Sequence, residues 1–137
     1  MDRREVMRRV KSSDTKPEIL VRKFLHERGF RFRLHSKQLP GKPDVVLRKY
    51  HTVIFVNGCF WHGHEDCRDN RRPSTNKTYW SNKVLTNTNR DQKNLKTLEA
   101  MGWRVITIWT CELKNQAAIQ LTLSRTESIL RTVVTIA

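Results

Sequence analysis

A long polar segment, from Asn57 to Thr78, interrupts a regular succession of helices and short apolar strands. Loops of this length are uncommon in compact domains, and those that occur are usually functional or held by an additional constraint. The segment opens with a run of thiols, imidazoles and aromatic rings, CFWHGHEDC, over residues 59–67. Any fold of this chain must therefore hold a histidine-rich loop in place, and a bound ion is one way to do so.

The thiols and imidazoles of this run predict a structural zinc site. Zn²⁺ in such sites takes four sulfur and nitrogen ligands in tetrahedral geometry. Cys59, His64 and Cys67 are spaced to close around one ion, and Cys111 or His62 is the fourth ligand. Choosing Cys111 uses all three cysteines and leaves His62 for other work. The alternative is a set of reduced, buried cysteines beside surface histidines.

Apolar periodicity on either side of the loop predicts an α/β domain. Thr15 and Glu18 form a predicted capping box, and the helix that follows should end at Gly29 with Ile19, Leu20, Phe24 and Leu25 facing inward. The remaining predicted elements are strands over 30–35, 45–47 and 52–56, a helix over 79–101 with a possible break at 87–89, a strand over 103–109 and a helix over about 115–130. Trp103 and Trp109 are expected in the core. This order is also that of the restriction-endonuclease core, so we expect a mixed central sheet flanked by helices, with a zinc-stapled loop.

Length and charge restrict the domain organisation and the partner. The 137 residues predict a single domain over 1–137, with a basic N-terminal helix or arm over 1–13 and a C-terminal helix over 114–137. Lys and Arg number 27 against 13 Asp and Glu, giving a net charge of +14. A chain this basic favours nucleic acid as its partner over a merely solvated basic surface. No apolar run suits a membrane span or an export signal, so we expect a cytoplasmic protein. We also expect it to be a monomer.

Asp44 is the candidate ligand for a catalytic cation. It follows the turn Leu39–Pro43 and opens a predicted strand, where rigid backbone would hold its carboxylate for a hard cation such as Mg²⁺. The alternative is an ordinary turn aspartate that accepts backbone hydrogen bonds. Restriction endonucleases usually add Glu-x-Lys on the next strand, but residues 56–58 are Val-Asn-Gly. Backbone carbonyls or other side chains would therefore have to complete the site.

Three aromatic residues in or beside the polar segment are candidates for contact with bases. Phe60 and Trp61 lie among polar neighbours, and Trp80 follows the segment. Aromatic rings in basic surroundings can stack on bases or wedge between base steps. Packing over a small core is the alternative, which we accept for Trp103 and Trp109 but not for Phe60 and Trp61.

Together these motifs resemble the very-short-patch repair (Vsr) endonucleases. The matching stretches follow the family's order from about Met7 to Cys111: DTKPE at 14–18, LPGKPD at 39–44, GCFWHGH at 58–64, RD at 90–91 and GWRV at 102–105. The family departs from this chain in having a histidine where Asn57 stands and one residue fewer before Cys67. The chain after Glu112 shows no resemblance.

The resemblance implies a function and a role for each matching residue. Family members nick the thymine strand of double-stranded DNA at T:G mismatches, which arise when 5-methylcytosine deaminates. The implied roles are a Mg²⁺ site at Asp44 and the Val56 backbone carbonyl, catalysis by His62 with support from Glu18, structural zinc at Cys59, His64, Cys67 and Cys111, and intercalation by Phe60, Trp61 and Trp80. The resemblance also makes other mismatch-repair proteins candidate partners. It implies that the protein acts at the nucleoid of a bacterium-like cell.

Two other functions are compatible with the residues. A homing or restriction-type nuclease would reuse the same fold on unmodified, longer sequences and cut both strands. A non-catalytic DNA-binding module would bind duplexes in EDTA and cleave none. The joint presence of Glu18, Asp44 and His62 favours a nuclease over the second alternative.

Overall fold

The structure is a computed structural model, and it describes residues 15–59, 62, 64 and 77–132. Four groups of predicted features lie outside the described residues: the N-terminal arm over 1–13, the zinc ligand Cys67, the end of the chain after residue 132, and the rings of Phe60, Trp61 and Trp80. Their predicted roles therefore stay predictions.

The described chain is a mixed α/β domain built on one four-stranded sheet. The helices are α1 (Lys16–Glu27), α2 (Lys77–Ala100) and α3 (Gln116–Arg131), and the strands are β1 (Arg33–Leu34), β2 (Val45–Leu47), β3 (Thr52–Asn57) and β4 (Arg104–Trp109). The strand order is β1-β2-β3-β4, with antiparallel pairing up to β3 and parallel pairing between β3 and β4. This confirms the predicted mixed sheet with helices, and the restriction-endonuclease relationship stays a prediction.

Helix α1 begins and ends where its sequence signals predict. The Thr15 hydroxyl accepts a hydrogen bond from the Glu18 backbone N–H at 3.4 Å, and Gly29 follows the helix with φ +84°. Val21 and Leu25 are fully buried, and Leu20 and Phe24 pack partly buried against the same core as predicted, but the prediction that Ile19 faces inward is wrong. Ile19 is 42% exposed because it lies two positions from Val21, about 200° around the helix.

The predicted strand over 30–35 is much shorter in the structure. Only Arg33 and Leu34 pair with β2, because β2 itself has three residues and offers them the partners Val46 and Val45. Phe30 is nevertheless buried in the core, where it packs without strand pairing. Leu34 is 40% exposed on this edge strand.

The sheet separates two apolar layers. One face packs on α1 and α3 through a cluster that contains Val21, Leu25, Ile54, Ile108 and Leu123. The other face packs on α2 through Val46, Val53 and Leu98, with Trp103 half-buried beside them. Residues 53–56 of β3 contribute alternately to the two clusters, which explains why this stretch is continuously apolar. The last three residues of β3 are only half-buried, and there the strand reaches the candidate site.

Helix α2 runs without the predicted break at 87–89. The Thr88 hydroxyl bonds back to the Val84 carbonyl at 2.9 Å, so a residue that often weakens helices is satisfied inside this one. Gly102, with φ +90°, ends the helix as predicted. No described helix combines the length and the apolar character required to cross a membrane.

Candidate active site and metal-ligand cluster

The carboxylate of Asp44 is held at the start of β2 by the backbone of the neighbouring strand. Strand β2 pairs with β3 only as far as Ile54, so the N–H of Val56 is not used in that ladder. The Val56 N–H instead donates to Oδ2 of Asp44 at 2.6 Å. In an extended strand the N–H and C=O of one residue point to the same side, so the Val56 carbonyl shares this edge with Asp44.

Glu18 reaches the same place from α1. Its side chain is buried, and Oε2 accepts a hydrogen bond from Nη2 of Arg22 at 3.1 Å, one helical turn away. The carboxylate of Glu18 therefore pairs with Arg22. Of the predicted capping box, the structure shows the hydrogen bond from the Glu18 backbone N–H to the Thr15 hydroxyl. A buried carboxylate needs such a partner because its desolvation is costly.

His35 lies between the two carboxylates. Its Nδ1 is 3.8 Å from Oδ1 of Asp44, and its Nε2 is 3.6 Å from Oε2 of Glu18. One ligand atom from each of Glu18, His35 and Asp44 lies within 4.8 Å of the others, a spacing that could hold a metal ion. His35 was not among the predicted site residues, since the sequence pattern placed it at the end of a basic strand.

Burial raises the pKa of Asp44 from its ordinary 3.8 to about 6. The Val56 hydrogen bond and the nearby His35 and His62 lower the pKa, whereas the charge of Glu18 raises it further. A carboxylate that is held ionised against this desolvation gains when a cation arrives. A positive charge close to Asp44 would therefore stabilise its ionised form.

His62 faces the same cleft from the polar segment. Its Nδ1 is hydrogen-bonded to Oδ2 of Asp91 on α2, and its carbonyl accepts from the Thr88 hydroxyl at 3.4 Å. A carboxylate on one ring nitrogen fixes the orientation of an imidazole and leaves the other nitrogen for a proton transfer. The sequence showed Asp91 in a matching motif, but its contact with His62 depends on the packing of α2.

These groups line one open cleft of about 490 Å³. Glu18, His35, Asp44, His62 and Asp91 are on its wall. The ammonium-bearing side chains of Lys37 and Lys42 and the amide of Asn57 are also on the wall. Paired carboxylates, a held histidine and two cations are groups that a phosphodiester-hydrolysing site can use.

The thiols and a second imidazole form a separate cluster at the end of β4. Sγ of Cys111 lies 3.5 Å from Nδ1 of His64, and Sγ of Cys59 lies 3.4 Å from the Thr110 hydroxyl. One ligand atom from each of Cys59, His64 and Cys111 lies within 4.8 Å of the others. The donor set, two sulfurs and a nitrogen, is the type that Zn²⁺ selects.

Trp109 belongs to this region, and its assignment to the core was wrong. The ring is half-buried, stacks on His64 with centroids 4.2 Å apart, and meets His62 edge-on at 6.5 Å. The alternating pattern of β4 could not show this, because the partner rings come from the distant polar segment. Trp103, at the other end of β4, does pack on the core and stacks on His51.

Comparison with known proteins shows several relatives of the same kind. The family described as DNA mismatch endonuclease Vsr matches residues 1–69. The type II nicking enzyme V.NmeAIP of Neisseria meningitidis is 49% identical over 120 residues, covering 88% of this chain and 85% of that protein. The type II nicking enzyme V.XorIIP of Xanthomonas oryzae is 48% identical over 118 residues, covering 86% of each chain. The DNA mismatch endonuclease Vsr of Escherichia coli is 37% identical over 110 residues, covering 80% of this chain and 70% of that protein.

These matches and the cleft make the protein a DNA endonuclease. The sequence prediction of an enzyme rather than a DNA-binding module is thereby confirmed. The chain belongs to the Vsr family of endonucleases.

Proposed function

We propose that this endonuclease nicks the thymine strand of double-stranded DNA at T:G mismatches left by deamination of 5-methylcytosine. The observation that carries the proposal is the convergence of Glu18, Asp44 and His62 in one cleft that also presents Lys37 and Lys42. Two lysine side chains in the cleft suit contact with the phosphate backbone of DNA. The relative in Escherichia coli is named a mismatch endonuclease, which supports the mismatch as the recognised feature.

Asp44 and the Val56 backbone carbonyl are the proposed holders of a catalytic Mg²⁺. The donor set fits, because Mg²⁺ takes oxygen ligands and is commonly bound through one or two carboxylates. When bound, the ion supplies charge neutralisation at the scissile phosphate and at the leaving oxygen. Glu18 is buried beside Asp44, and its negative charge favours binding of the cation.

His62 is the proposed proton carrier. Asp91 holds one of its ring nitrogens, so the imidazole is oriented before DNA arrives. Its other ring nitrogen can then take a proton from the water that attacks phosphorus. Phe60 and Trp61 directly precede His62 in sequence, and we propose that they and Trp80 insert beside the mismatch. A mismatched step is cheaper to open than a paired one, and this difference helps select the substrate.

Cys59, His64 and Cys111, with Cys67 as the fourth ligand, are the proposed structural Zn²⁺ site. The first three already converge in the described part of the chain, and Cys67 completes a tetrahedral set of sulfur and nitrogen. Zinc there would fix the segment that carries His62 to the end of β4.

A panel of duplexes tests the proposed substrate. Each duplex carries one mismatch or none in the same sequence, with the two strands labelled differently, and is incubated with Mg²⁺. We expect nicking of the thymine strand at T:G and little cleavage elsewhere. Equal nicking of the matched duplex would instead favour a sequence-directed nicking enzyme, the activity named in the Neisseria and Xanthomonas relatives. Cleavage of both strands would favour the restriction-type alternative.

A further inference from the structure

His35 has an unusual backbone conformation beside the candidate active site. Its φ is +47°, a left-handed value that few residues other than glycine adopt. Its N–H donates to the Asp44 carbonyl at 3.3 Å, which extends the pairing of Leu34 with Val45 by one step. The backbone therefore holds residues 35 and 44 opposite one another, and such costly conformations cluster where they serve a function.

The neighbours of the His35 ring determine which nitrogen carries its proton. Nη2 of Arg22 lies 3.2 Å from Nε2 of His35, and the same atom pairs with Glu18. A guanidinium can only donate, so Nε2 must be the accepting nitrogen. In a neutral imidazole the proton then resides on Nδ1, the nitrogen that faces Oδ1 of Asp44.

We propose that His35 is a positioning residue for Asp44, with its Nδ1–H directed at Oδ1 of the carboxylate and its tautomer set by Arg22. The Val56 N–H holds Oδ2, so the two donors together fix the plane of the carboxylate. The remaining lone pairs are then presented to the cleft. Nδ1 and Oδ1 are 3.8 Å apart, which is longer than a hydrogen bond, and we expect this distance to shorten when the metal and DNA bind. The inference rests on the proposed role of Asp44 as a metal ligand.

Two substitutions of His35 distinguish the two ring nitrogens. The amide nitrogen of Asn reaches about as far as Nδ1, whereas that of Gln reaches about as far as Nε2. Partners that orient a metal ligand are worth about 10-fold to 100-fold in metal affinity, so we expect that loss in His35→Ala and His35→Gln. His35→Asn should stay close to the wild type. His26→Ala, on the exposed last turn of α1, is the matched control and should change nothing.

The measurement is a titration of zinc-loaded protein with Mn²⁺ in the absence of DNA. The electron paramagnetic resonance signal of unbound Mn²⁺ reports how much of the ion the protein has taken up. Mn²⁺ stands in for Mg²⁺ because both favour carboxylate, carbonyl and water ligands. Equal losses in His35→Asn and His35→Gln, or wild-type affinity in His35→Ala, would overturn the positioning role. Asp44→Ala separates the two levels: if it binds Mn²⁺ normally, the proposed metal site fails, and if it loses Mn²⁺ while His35→Ala does not, only this inference fails.

A second experiment observes the His35 ring directly, without measuring metal affinity and without substituting His35. Nuclear magnetic resonance of ¹⁵N-histidine protein reports which ring nitrogen bears the proton. We expect the Nδ1–H tautomer at His35 in the wild type and its loss in Arg22→Met. An Nε2–H tautomer in the folded wild-type protein would overturn the proposal regardless of the variants.

Discussion

Glu18 and Asp44 offer carboxylate oxygens on the wall of an open cleft, whereas Cys59, His64 and Cys111 offer sulfur and nitrogen in a cluster whose His64 ring stacks on Trp109. Residues 56–59 join the two groups at the end of β3. A hard cation that keeps several waters suits the first group, and a closed tetrahedral ion suits the second. The contrast predicts that these neighbouring ligand sets bind different ions and serve different tasks.

The largest expected effect comes from removing the carboxylate of the open cleft. Asp44→Ala should lower the nicking rate at a T:G duplex by at least about a thousandfold, since a metal-dependent charge stabilisation of about 4 kcal/mol is lost. Binding to the same duplex in Ca²⁺ should persist, because losing a negative charge does not weaken affinity for a polyanion. Single-turnover kinetics and a binding titration check the two halves. Undiminished nicking would remove Asp44 from the site.

The pairing of His62 with Asp91 predicts coupled kinetic effects. His62→Ala should slow nicking about a hundredfold, the lower range for a general acid or base. Asp91→Ala should slow it less, because its carboxylate orients the ring without touching the phosphate. The double variant should be no slower than His62→Ala alone, since the two act as one unit. Additive losses in the double variant would show that Asp91 acts independently.

Removing a ligand from the closed cluster, formed by Cys59, His64 and Cys111, should affect folding more than catalysis. Cys111→Ser should hold less than half an equivalent of zinc and should melt at a lower temperature than the wild type, because metal binding at such a site contributes to folding. Its Mn²⁺ affinity at Asp44 should be unchanged at temperatures where it is folded. Elemental analysis, calorimetry and the Mn²⁺ titration provide the three readings. An unchanged zinc content would exclude Cys111 as a ligand.

The raised pKa of Asp44 predicts a pH-dependent cost in the protein without Mg²⁺. Its pKa of about 6 in the fold exceeds the ordinary 3.8, so neutral Asp44 stabilises the fold below pH 3.8 and this contribution is lost as the pH rises through 6. Asp44→Asn keeps an acceptor for Val56 and avoids the loss. Relative to the variant, the wild type should lose about 2 to 3 kcal/mol of unfolding free energy between pH 4 and 8. Urea unfolding at several pH values checks this, and parallel curves for the two proteins would contradict it.

The smallest expected effect concerns the turn that delivers Asp44. Gly41 has φ +77°, and a Cβ there would lie 3.0 Å from Nδ2 of Asn94 and 3.2 Å from Phe55. Gly41→Ala should therefore destabilise the protein by about 1 to 2 kcal/mol through backbone strain, with some further cost from the contacts. Gly29→Ala is a useful comparison, because its φ is also positive but a Cβ there would meet no heavy atom of the described residues within 4 Å apart from its chain neighbours. Denaturant unfolding should place Gly41→Ala below Gly29→Ala, and the reverse order would show that packing does not limit this turn.

Local signals predicted much of the fold. Thr15, Gly29 and Gly102 mark helix ends through side-chain capping and left-handed backbone, both of which are properties of a few adjacent residues. The apolar run of β3 likewise follows from burial on both sides of the sheet. The short β1 and the exposure of Ile19 could not be predicted, since they depend on the length of β2 and on which helix face meets the core.

The candidate site divides in the same way. Glu18, Asp44 and His62 stand in motifs, so the sequence alone could propose them. His35 and Trp109 stand in no motif, and Asp91 stands in one that names no partner; the contacts of all three come from residues far along the chain, namely Glu18, His64 and His62 respectively. Tertiary contacts of this kind leave no periodicity or spacing that a single sequence can display.

One titration tests most directly whether the open cleft is catalytic and the closed cluster structural. Zinc-loaded protein free of other divalent ions is mixed with a T:G duplex labelled on the thymine strand, and Mg²⁺ is added stepwise under single-turnover conditions. We expect no nicking at first, then a rate that rises to saturation with Mg²⁺ while bound zinc stays at one ion per chain. Full-rate nicking by the zinc-loaded protein before any Mg²⁺ is added would contradict it.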